Sequence, residues 1–241
     1  LTYTNSLKKY NAYIAQLMNP NLDTTKIVTV DSFLRALYYK VLSGKTINVG
    51  RNESFVTYFP DDTASGITAD QALREAINCI WPNMLTEEEY CSSYERRGMK
   101  YPLDAKKRRT MWQLVQQGGE RILAANPEMP NNYVKYLAAT AIRDKKYSIE
   151  QLYDYIFIDE AQDLNTAQLY LLKAAAKHGV ILAGDSDQSI FQPAFSWKRS
   201  GIDVSGYSYT LQTDFRNTVQ IAETAEKYRA TIAGMNKESV R

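Results

Sequence analysis

The sequence predicts an α/β fold: a mostly parallel sheet whose chain is interrupted by a helical insertion. Three observations lead to this prediction. Short runs of β-branched and aromatic residues occur near both ends of the 241-residue chain, a helical pattern separates two of them, and the middle of the chain has helical periodicity. Strands that alternate with helices are typical of parallel sheets.

The strands are predicted from four short apolar runs, each followed by polar or helix-starting residues. They are KIVTV at 26–30, YIFID at 155–159, VILAGD at 180–185 and YSYTL at 207–211. A helix from about Thr166 to Lys177, closed by Gly179, is predicted between the second and third strands. After the fourth strand, NTVQIAETAEKYRATIAG is predicted to be helical.

The helical insertion is predicted from capping boxes and from the spacing of apolar residues. Thr68 with Gln71, and Thr86 with Glu89, each match the capping box that begins a helix. Apolar residues follow the first box at helical spacing, at Leu73, Ala76, Ile77, Ile80 and Trp81.

Two more helices, from about Asp104 to Ala125 and from about Asn131 to Asp144, extend this helical region. The sheet segments on either side of it then belong to one domain. We therefore expect a sheet domain built from 1–34 and 148–205, a helical subdomain at 35–147, and the start of a second domain at 206–241.

Composition excludes several classes of protein. A formal net charge of +2 is too small to indicate nucleic-acid binding by itself. Cys79 and Cys91 are the only cysteines and His178 is the only histidine, which excludes a disulfide framework and a thiolate or histidine metal cluster. Without a signal peptide or an apolar run of about 18 residues, the chain is expected to be soluble and cytoplasmic. Because it starts without Met, we expect the natural protein to begin further upstream.

A pair of acids, Asp159 and Glu160, follows the second predicted strand. At the carboxyl edge of a parallel sheet, one carboxylate can hold hydrated Mg²⁺ while its neighbour deprotonates water, as phosphoryl transfer requires. The alternative is that these acids and Asp163 occupy the first turn of the following helix, whose dipole favours negative charge.

Two later segments carry groups suited to phosphate. Gln188 follows VILAGD as a neutral donor that can reach a terminal phosphate from the same sheet edge, although a solvated turn would also explain the local pattern. Phe215 and Arg216 follow the fourth strand and combine an aromatic face with a guanidinium fork. The alternative for Phe215 and Arg216 is that they stand at the N-terminus of a helix, with the arginine on the surface.

The segments IDEAQD, AGDSDQSIF and LQTDFRNT, in this order and at this spacing, resemble motifs II, III and IV of superfamily 1 DNA helicases of the UvrD/Rep type. LTYTNSL at 1–7 is similar to motif Ia, and TVDSF at 29–33 is similar to motif Ib. The resemblance covers both ends of the chain but not the sequence of the insertion. It implies a RecA-like P-loop NTPase sheet with a helical insertion, in a helicase that uses ATP and Mg²⁺ to move 3′ to 5′ on single-stranded DNA.

The resemblance also implies a role for each residue in the nucleotide motifs. Asp159 would hold Mg²⁺, and Glu160 would activate the attacking water. Gln188 would sense the γ-phosphate, Arg216 would be an arginine finger from the second RecA-like domain, and Phe215 would lie near the adenine.

The partner implied by the resemblance is single-stranded DNA, alone or at a junction with duplex. The expected contacts are Thr2, Tyr3, Thr4 and Asn5 in motif Ia, Thr29, Asp31 and Ser32 in motif Ib, and Trp197 after motif III. An aromatic platform suits this task because stacking tolerates any base sequence; simple packing is the alternative for Tyr3. The sequence departs from the family at FQPAFSWKRSG, which replaces a compact RWRG-like stretch, and at Asp31, where histidine is usual.

A phosphate loop of the form GxxxxGK[ST] does not occur in the sequence. The only GKT is Gly44–Thr46, where Tyr39 occupies the position of the required first glycine and the preceding RALYYKVL is helical in pattern. In the family this loop lies upstream of motif Ia, and motifs V and VI follow motif IV. We therefore expect the phosphate loop and motifs V and VI to lie outside these 241 residues. We also expect the chain alone to be inactive in ATP hydrolysis.

A basic cluster, ERRGMKYPLDAKKRR at 95–109, lies within the insertion, with Trp112 close by. It fits a salt-sensitive contact to nucleic acid, and a solvated helix face explains it about equally well.

Two other functions are alternatives for the whole chain. A non-catalytic DNA-binding or partner-docking remnant has no chemical need for the acids, Gln188 and Arg216 together, and an unrelated phosphotransferase leaves QSIF and DFRNT unexplained. The resemblance is compatible with a pathway of DNA repair, replication restart, plasmid maintenance or phage defence.

Overall fold

The computed structural model of the chain describes residues 1–2, 4–42, 48–92, 94–96, 98–99, 101–125, 128–185, 199–210 and 218–238. The chain divides into two compact units, Leu1–Asp203 and Val204–Arg241.

The first unit contains seven α-helices and four strands among the described residues. Its helices are α1 (Asn5–Met18), α2 (Val30–Val41), α3 (Ala69–Glu75), α4 (Glu87–Ser92), α5 (Ala105–Ala125), α6 (Asn131–Arg143) and α7 (Thr166–Ala175). Its strands are β1 (Asn48–Val49), β2 (Glu128–Met129), β3 (Tyr153–Ile158) and β4 (Ala176–Leu182). A π-helical segment, Ala76–Ile80, continues α3, and short 3-10 helices lie at Thr24–Lys26, Asn52–Tyr58 and Ala161–Asp163.

The strands pair in parallel. β3 lies beside β4 with Ile156 opposite Val180 and Ile158 opposite Leu182, and β1 pairs in parallel with β2. The start of the chain lies next to β3, because the Leu1 carbonyl accepts a hydrogen bond from the residue that follows this strand. Thr2 also forms a parallel bridge with Thr29. The predicted α/β class with parallel pairing is confirmed.

Two separate hydrophobic cores hold the first unit together. One lies where the inward side chains of β3 meet α2, α6 and α7, and its fully buried members include Leu34, Ile158, Leu169 and Leu172. The other lies within the helical region and includes Trp81, which stacks on Tyr133 with ring centroids 4.3 Å apart. The two ends of the sheet region therefore share one core, while most of the insertion packs around its own.

The predicted helical elements of the insertion are confirmed. Thr68 and Gln71 form both hydrogen bonds of a capping box at the start of α3. Thr86 and Glu89 do the same before α4, with the Glu89 carboxylate 2.9 Å from the Thr86 nitrogen. The five apolar residues predicted at helical spacing are all buried, namely Leu73, Ala76, Ile77, Ile80 and Trp81. Helices α5 and α6 match their predicted ranges closely.

Three predicted elements differ from the structure. KIVTV is a single bridge at Thr29 rather than a strand, because Asp23 caps a 3-10 turn before it and Thr29 itself caps α2. The predicted end of the helix at Gly179 is wrong: α7 stops at Ala175, and Ala176 already pairs in register with β3. Tyr207–Thr210 forms no strand, and its two tyrosines are about nine-tenths exposed, at 90% and 88%. The described part of its unit contains no strand with which it could pair.

The second unit contains one regular element among its described residues, α8 (Val219–Glu238), which confirms the last predicted helix. Across the described ranges of both units, none of the helices has the length and apolar character needed to cross a membrane.

Candidate functional site

The carboxyl end of β3 carries the two predicted catalytic acids. Asp159 follows the last residue of β3, and its N–H donates to the Leu1 carbonyl oxygen at 2.9 Å. Two hydrogen bonds orient its carboxylate: Oδ1 accepts from the Glu160 N–H at 3.1 Å, and Oδ2 accepts from Asn11 Nδ2 at 3.3 Å. Asp159 and Glu160 are both partly exposed. The metal-site prediction therefore falls on a carboxylate that is held in place and still reachable from solvent.

Glu160 adopts a left-handed backbone conformation, with φ 54° and ψ 44°. This region costs a residue with a Cβ about 1–2 kcal/mol, and such strain is often found at functional sites. The short turn Ala161–Asp163 follows, and α7 begins only at Thr166, capped by Asn165. The acids thus precede the first turn of α7, and Glu160 and Asp163 lie instead at the 3-10 turn between β3 and α7.

Gln162 joins the acidic pair to the end of β4. Its side chain is buried, at 5% exposure of the residue, and its Nε2 donates to Glu160 Oε2 at 2.7 Å. Its Oε1 accepts from the Asp185 N–H at 3.1 Å. The backbones meet at the same place, since the Ala161 N–H donates to the Ala183 carbonyl at 2.9 Å. The predicted acids and the segment containing Gly184 and Asp185 therefore lie at one edge of the sheet.

Asp163 is the third acid of the turn. Its N–H donates to the Glu160 carbonyl at 3.1 Å. Burial, and then the neighbouring Glu160 carboxylate, raises the pKa of Asp163 above its ordinary value. A proton on Asp163 is therefore held more tightly in the folded chain than in the unfolded one.

The acids at the end of β3 fit one mode of metal binding and not another. In the described part of the chain, no three His, Cys, Asp or Glu side chains lie close enough together to hold a metal ion. Mg²⁺ in phosphoryl-transfer sites is commonly held by one or two carboxylates with substrate phosphates and water. Asp159, oriented by Asn11 and partly exposed, fits that mode, and it does not fit an ion held by protein ligands alone.

The predicted motif Ia and motif Ib residues lie side by side, and the chain before Thr2 contacts the end of β3 through the Leu1 carbonyl. The Thr2 N–H donates to the Val28 carbonyl at 3.1 Å, and the Val30 N–H donates to the Thr2 carbonyl at 2.9 Å. Thr2 is buried, and its hydroxyl donates to the Thr4 carbonyl at 3.2 Å. The side chain of Thr2 is therefore already engaged within its own chain.

Two helices begin at these motif residues. Thr4 caps α1 by accepting from the Leu7 N–H at 3.2 Å, and Thr29 caps α2 by accepting from the Ser32 N–H at 3.2 Å. Thr4, Asn5 and Ser32 are exposed, and Thr29 is partly exposed. Free N–H groups and the positive dipole end favour a phosphate at such helix starts, although the exposed Asp31 carboxylate in the first turn of α2 opposes one.

The family model of the UvrD/REP helicase N-terminal domain matches residues 2–204 of the chain. The chain belongs to the UvrD/REP helicase family. No curated protein matches it in the sequence comparison. The family match spans the ends of β3 and β4 as well as the helical insertion, so the resemblance inferred from the short motifs is confirmed over most of the chain.

Within this UvrD/REP helicase chain, the basic cluster of the insertion divides into two sets. Arg96 and Arg108 point into the fold. Arg96 pairs with buried Glu75, and Arg108 donates to the backbone carbonyls of Tyr90 in α4 and of Tyr94 and Leu103 between α4 and α5. On α5, by contrast, Lys106, Lys107 and Arg109 are exposed. Arg97 and Lys100 lie outside the described residues.

The aromatic residues near the cluster are also engaged in the fold. The Tyr101 hydroxyl donates to the Gln71 carbonyl at 3.0 Å, and its ring lies under the Arg96 guanidinium, 5.2 Å away. Trp112 is buried at 8% exposure. The exposed basic side chains of α5 thus keep the predicted charge, while Trp112 is buried and the Arg96 guanidinium covers one face of the Tyr101 ring.

Five predicted site residues lie outside the described residues, namely Tyr3, Gln188, Trp197, Phe215 and Arg216. The predictions made for them stay predictions. Two further residues, which the motifs did not single out, touch the acids. Gln162 stands inside IDEAQD, so a search of that motif for a buried amide could have found it; Asn11, on α1, comes from 148 positions away and gave no signal.

Proposed function

We propose that this chain is part of an ATP-dependent DNA helicase that couples hydrolysis of Mg-ATP to 3′ to 5′ movement on single-stranded DNA, up to a junction with duplex. One observation carries the proposal. Asp159 and Glu160 stand at the carboxyl end of β3 beside the end of β4, within a chain of the UvrD/REP helicase family. Ligands of parallel sheets bind at that edge.

The two acids divide the work of hydrolysis. Asp159, held by Asn11, is the carboxylate that would hold Mg²⁺. The ion, when bound with nucleotide, neutralises charge on the β- and γ-phosphate oxygens. Glu160 takes the proton of the attacking water, and the hydrogen bond from Gln162 fixes its carboxylate for that task.

The remaining nucleotide contacts follow from the family motifs. Gln188 senses the γ-phosphate, Phe215 lies near the adenine, and Arg216 acts as an arginine finger when a RecA-like cleft closes on ATP. An arginine finger is worth about 10³–10⁵ in turnover in related phosphoryl transfers. Closure on ATP and release after hydrolysis then move the protein along the strand.

The DNA strand runs past the starts of α1 and α2. Thr4, Asn5, Thr29 and Ser32 present hydroxyl, amide and backbone donors to its phosphates, and Thr2 supports this edge from within the fold. Tyr3 and Trp197 supply base-stacking faces. Because α1 also carries Asn11, one helix links the DNA contacts to the Asp159 carboxylate.

ATP hydrolysis requires a phosphate loop that the printed sequence does not contain. We propose that the 241 residues alone do not hydrolyse ATP and that they act in a longer polypeptide containing this loop. A robust magnesium-dependent turnover by the isolated chain would overturn this part of the proposal.

The test measures ATP turnover by the longer, loop-containing protein with and without single-stranded DNA, for the parent sequence and for Glu160→Gln. We expect DNA to stimulate turnover and Glu160→Gln to lower it by about 10²–10⁴-fold, the usual contribution of a general base. Glu150→Gln, the same change at an exposed site before β3, is the matched control and should leave turnover intact. If neither DNA nor Glu160→Gln matters, the chain is a non-catalytic DNA-binding or docking remnant instead.

A further inference from the structure

The amide of Gln162 is hydrogen-bonded to both sides of the candidate hydrolysis site. Its NH₂ group donates to Glu160 Oε2 at 2.7 Å, and its oxygen accepts from the Asp185 N–H at 3.1 Å. Only one orientation of the amide satisfies both partners, because a carboxylate can only accept and a backbone N–H can only donate. The side chain is thus fixed in direction as well as in position.

The space around this amide is closed by backbone on two sides. A Cβ added to Gly184 would lie 2.5 Å from Gln162 Oε1, which is too close for two atoms that are not bonded. The Ala161 N–H to Ala183 carbonyl bond and the Ala183 N–H to Ile158 carbonyl bond, at 2.9 Å and 2.8 Å, hold the two strand ends together around it. The amide of Gln162 therefore has little room to move unless the strand ends part.

Glu160 needs such a support more than an ordinary glutamate does. The backbone of Glu160 is left-handed, and its side chain projects from a turn rather than from a strand or an α-helix. Regular secondary structure therefore does not fix the direction of this side chain. A charge-assisted hydrogen bond to the carboxylate supplies that direction. Because the Gln162 amide is neutral, it orients Glu160 without adding a second charge to the site.

We propose that Gln162 is a positioning residue, which fixes the Glu160 carboxylate and ties its position to the Asp185 end of β4. A shift of β4 at Asp185 then moves the Glu160 carboxylate, so that hydrolysis depends on the position of this strand end. The inference rests on the proposed function, in which Glu160 takes the proton of the attacking water.

The first test separates positioning from folding. The variant is Gln162→Leu in the longer, loop-containing protein. Leucine keeps most of the side-chain volume but cannot form the hydrogen bonds to Glu160 and Asp185. We expect kcat for DNA-stimulated ATP turnover to fall about 10- to 100-fold because the Glu160 carboxylate is misplaced. KM for ATP should stay unchanged. Gln168→Leu is the matched control: Gln168 is equally buried in the same connection, but its amide oxygen caps α7 through the Asn165 N–H and does not touch Glu160. It should lower thermal stability and leave kcat unchanged.

A second variant acts from the other side of the contact and retains Gln162. Gly184→Ala places a methyl group 2.5 Å from the Gln162 oxygen, so the end of this side chain must leave its position. The Ala161 and Gln162 backbone nitrogens, 3.3 Å from the methyl group, need to move only slightly. We expect the same loss of kcat at unchanged KM. If Gln162→Leu fails to fold, Gly184→Ala still tests whether the position of Gln162 controls kcat.

Amide hydrogen exchange gives a readout that does not depend on activity. In the 241-residue chain, measured by NMR, the Asp185 N–H should exchange faster in Gln162→Leu than in the parent, while the Ala161 and Ala183 amides keep their protection. The same experiment on Gln168→Leu should leave Asp185 unchanged.

The outcomes separate the two proposals. If Glu160→Gln abolishes turnover but Gln162→Leu and Gly184→Ala leave kcat intact, Gln162 does not position Glu160 and the inference alone is overturned. If Glu160→Gln itself has no effect, the proposed function fails and the inference falls with it. Loss of kcat in both Gln162→Leu and Gly184→Ala, together with faster exchange at Asp185, supports the inference.

Discussion

Arg96 holds the Glu75 carboxylate in a two-pronged pair, with Nε 2.6 Å from Oε1 and Nη2 2.5 Å from Oε2. The two side chains are 6% and 0% exposed. Tyr90 donates its hydroxyl to the same carboxylate at 2.9 Å, and burial, followed by the Glu75 charge, raises the pKa of Tyr90 so that it stays a neutral donor. The basic segment of the insertion is thus anchored to α3 by a fully enclosed ion pair.

Removing Arg96 should destabilise the helical insertion strongly. Arg96→Met keeps the apolar stem but leaves the Glu75 carboxylate buried without its cation, and breaking such a pair costs about 3–5 kcal/mol. The measurement is the free energy of unfolding from a denaturant titration of the 241-residue chain. The fully buried position of Glu75, rather than the number of hydrogen bonds, sets this magnitude.

The matched control is Arg74→Met, one residue away from Glu75 in sequence. Arg74 pairs with Asp70 at 2.7 Å one helical turn away, but these side chains are 63% and 56% exposed. An exposed pair gains little because water solvates both charges. We expect a much smaller loss of stability, and equal losses for Arg74→Met and Arg96→Met would contradict the role assigned to burial.

The exposed half of the basic cluster should bind the backbone of DNA. Changing Lys106, Lys107 and Arg109 together to Gln removes three charges from the exposed surface at the start of α5 without touching the core. We expect weaker binding of single-stranded DNA, and a salt dependence of log K that is shallower by about 2, since each phosphate contact contributes about 0.7 for single strands. Fluorescence anisotropy at several salt concentrations measures both quantities.

A control for this prediction carries the same loss of charge elsewhere on the surface. Lys145, Lys146 and Lys177 are exposed and lie in sequence outside the cluster. If changing these three to Gln weakens binding as much as the cluster variant does, the effect is one of net charge alone. A cluster variant that binds like the parent would favour the solvated helix face.

The sequence predicted local features well where a local rule decides them. The capping box at Thr68 and the acids after β3 depend on short patterns, and both occur as predicted. The basic cluster shows the limit of such patterns. Arg96 and Lys107 are indistinguishable in a run of charges, and only the position of Glu75, 21 residues before Arg96, decides that one of them is buried.

Pairing between strands also overrode local signals. Gly179 follows a helical pattern and predicts its end, yet α7 already stops at Ala175, because the next residue pairs with β3. The bond between Gln162 and Asp185 could not be predicted either. It depends on the end of β4 approaching within hydrogen-bond distance of Gln162, and this is a property of the sheet rather than of the IDEAQD motif.

Lys145 should be replaceable by glycine with a gain in stability. It lies just beyond α6 with φ +57°, and the N–H groups of Lys145 and Lys146 donate to the carbonyls of Ile142 and Ala141 in the pattern of a Schellman end. Glycine adopts this conformation without the cost of a Cβ, about 1 kcal/mol. Lys145→Gly should raise the free energy of unfolding by about that amount. Lys145→Ala, which removes the charge but keeps the Cβ, should bring no such gain; a gain in both would assign the effect to charge.

Asp163 should make the stability of the chain depend on pH in a direction opposite to most carboxylates. Burial and Glu160 raise its pKa, so the folded chain binds its proton more tightly than the unfolded chain does. Unfolding then releases a proton, and the contribution of Asp163 to stability falls as pH rises from the unfolded value, about 3.9, through the raised folded value. Asp163→Asn, which mimics the protonated form, should therefore stabilise the chain at pH 7. This gain should vanish as pH falls below about 4.

Asp23 provides the comparison of opposite sign. Hydrogen bonds from the Thr25 hydroxyl and backbone N–H lower the pKa of Asp23, so its stabilising effect is present above its unfolded pKa and is lost as pH falls through the lowered folded value. Asp23→Asn should therefore lose stability at pH 7 and approach the parent in acid. Thermal unfolding of the parent and both variants between pH 3 and pH 7 tests the pair. If both variants shift stability in the same direction at pH 7, the assigned causes are wrong. Opposite shifts that converge in acid would mean that the Asp163 carboxylate lowers stability beside the Glu160 carboxylate that Gln162 holds.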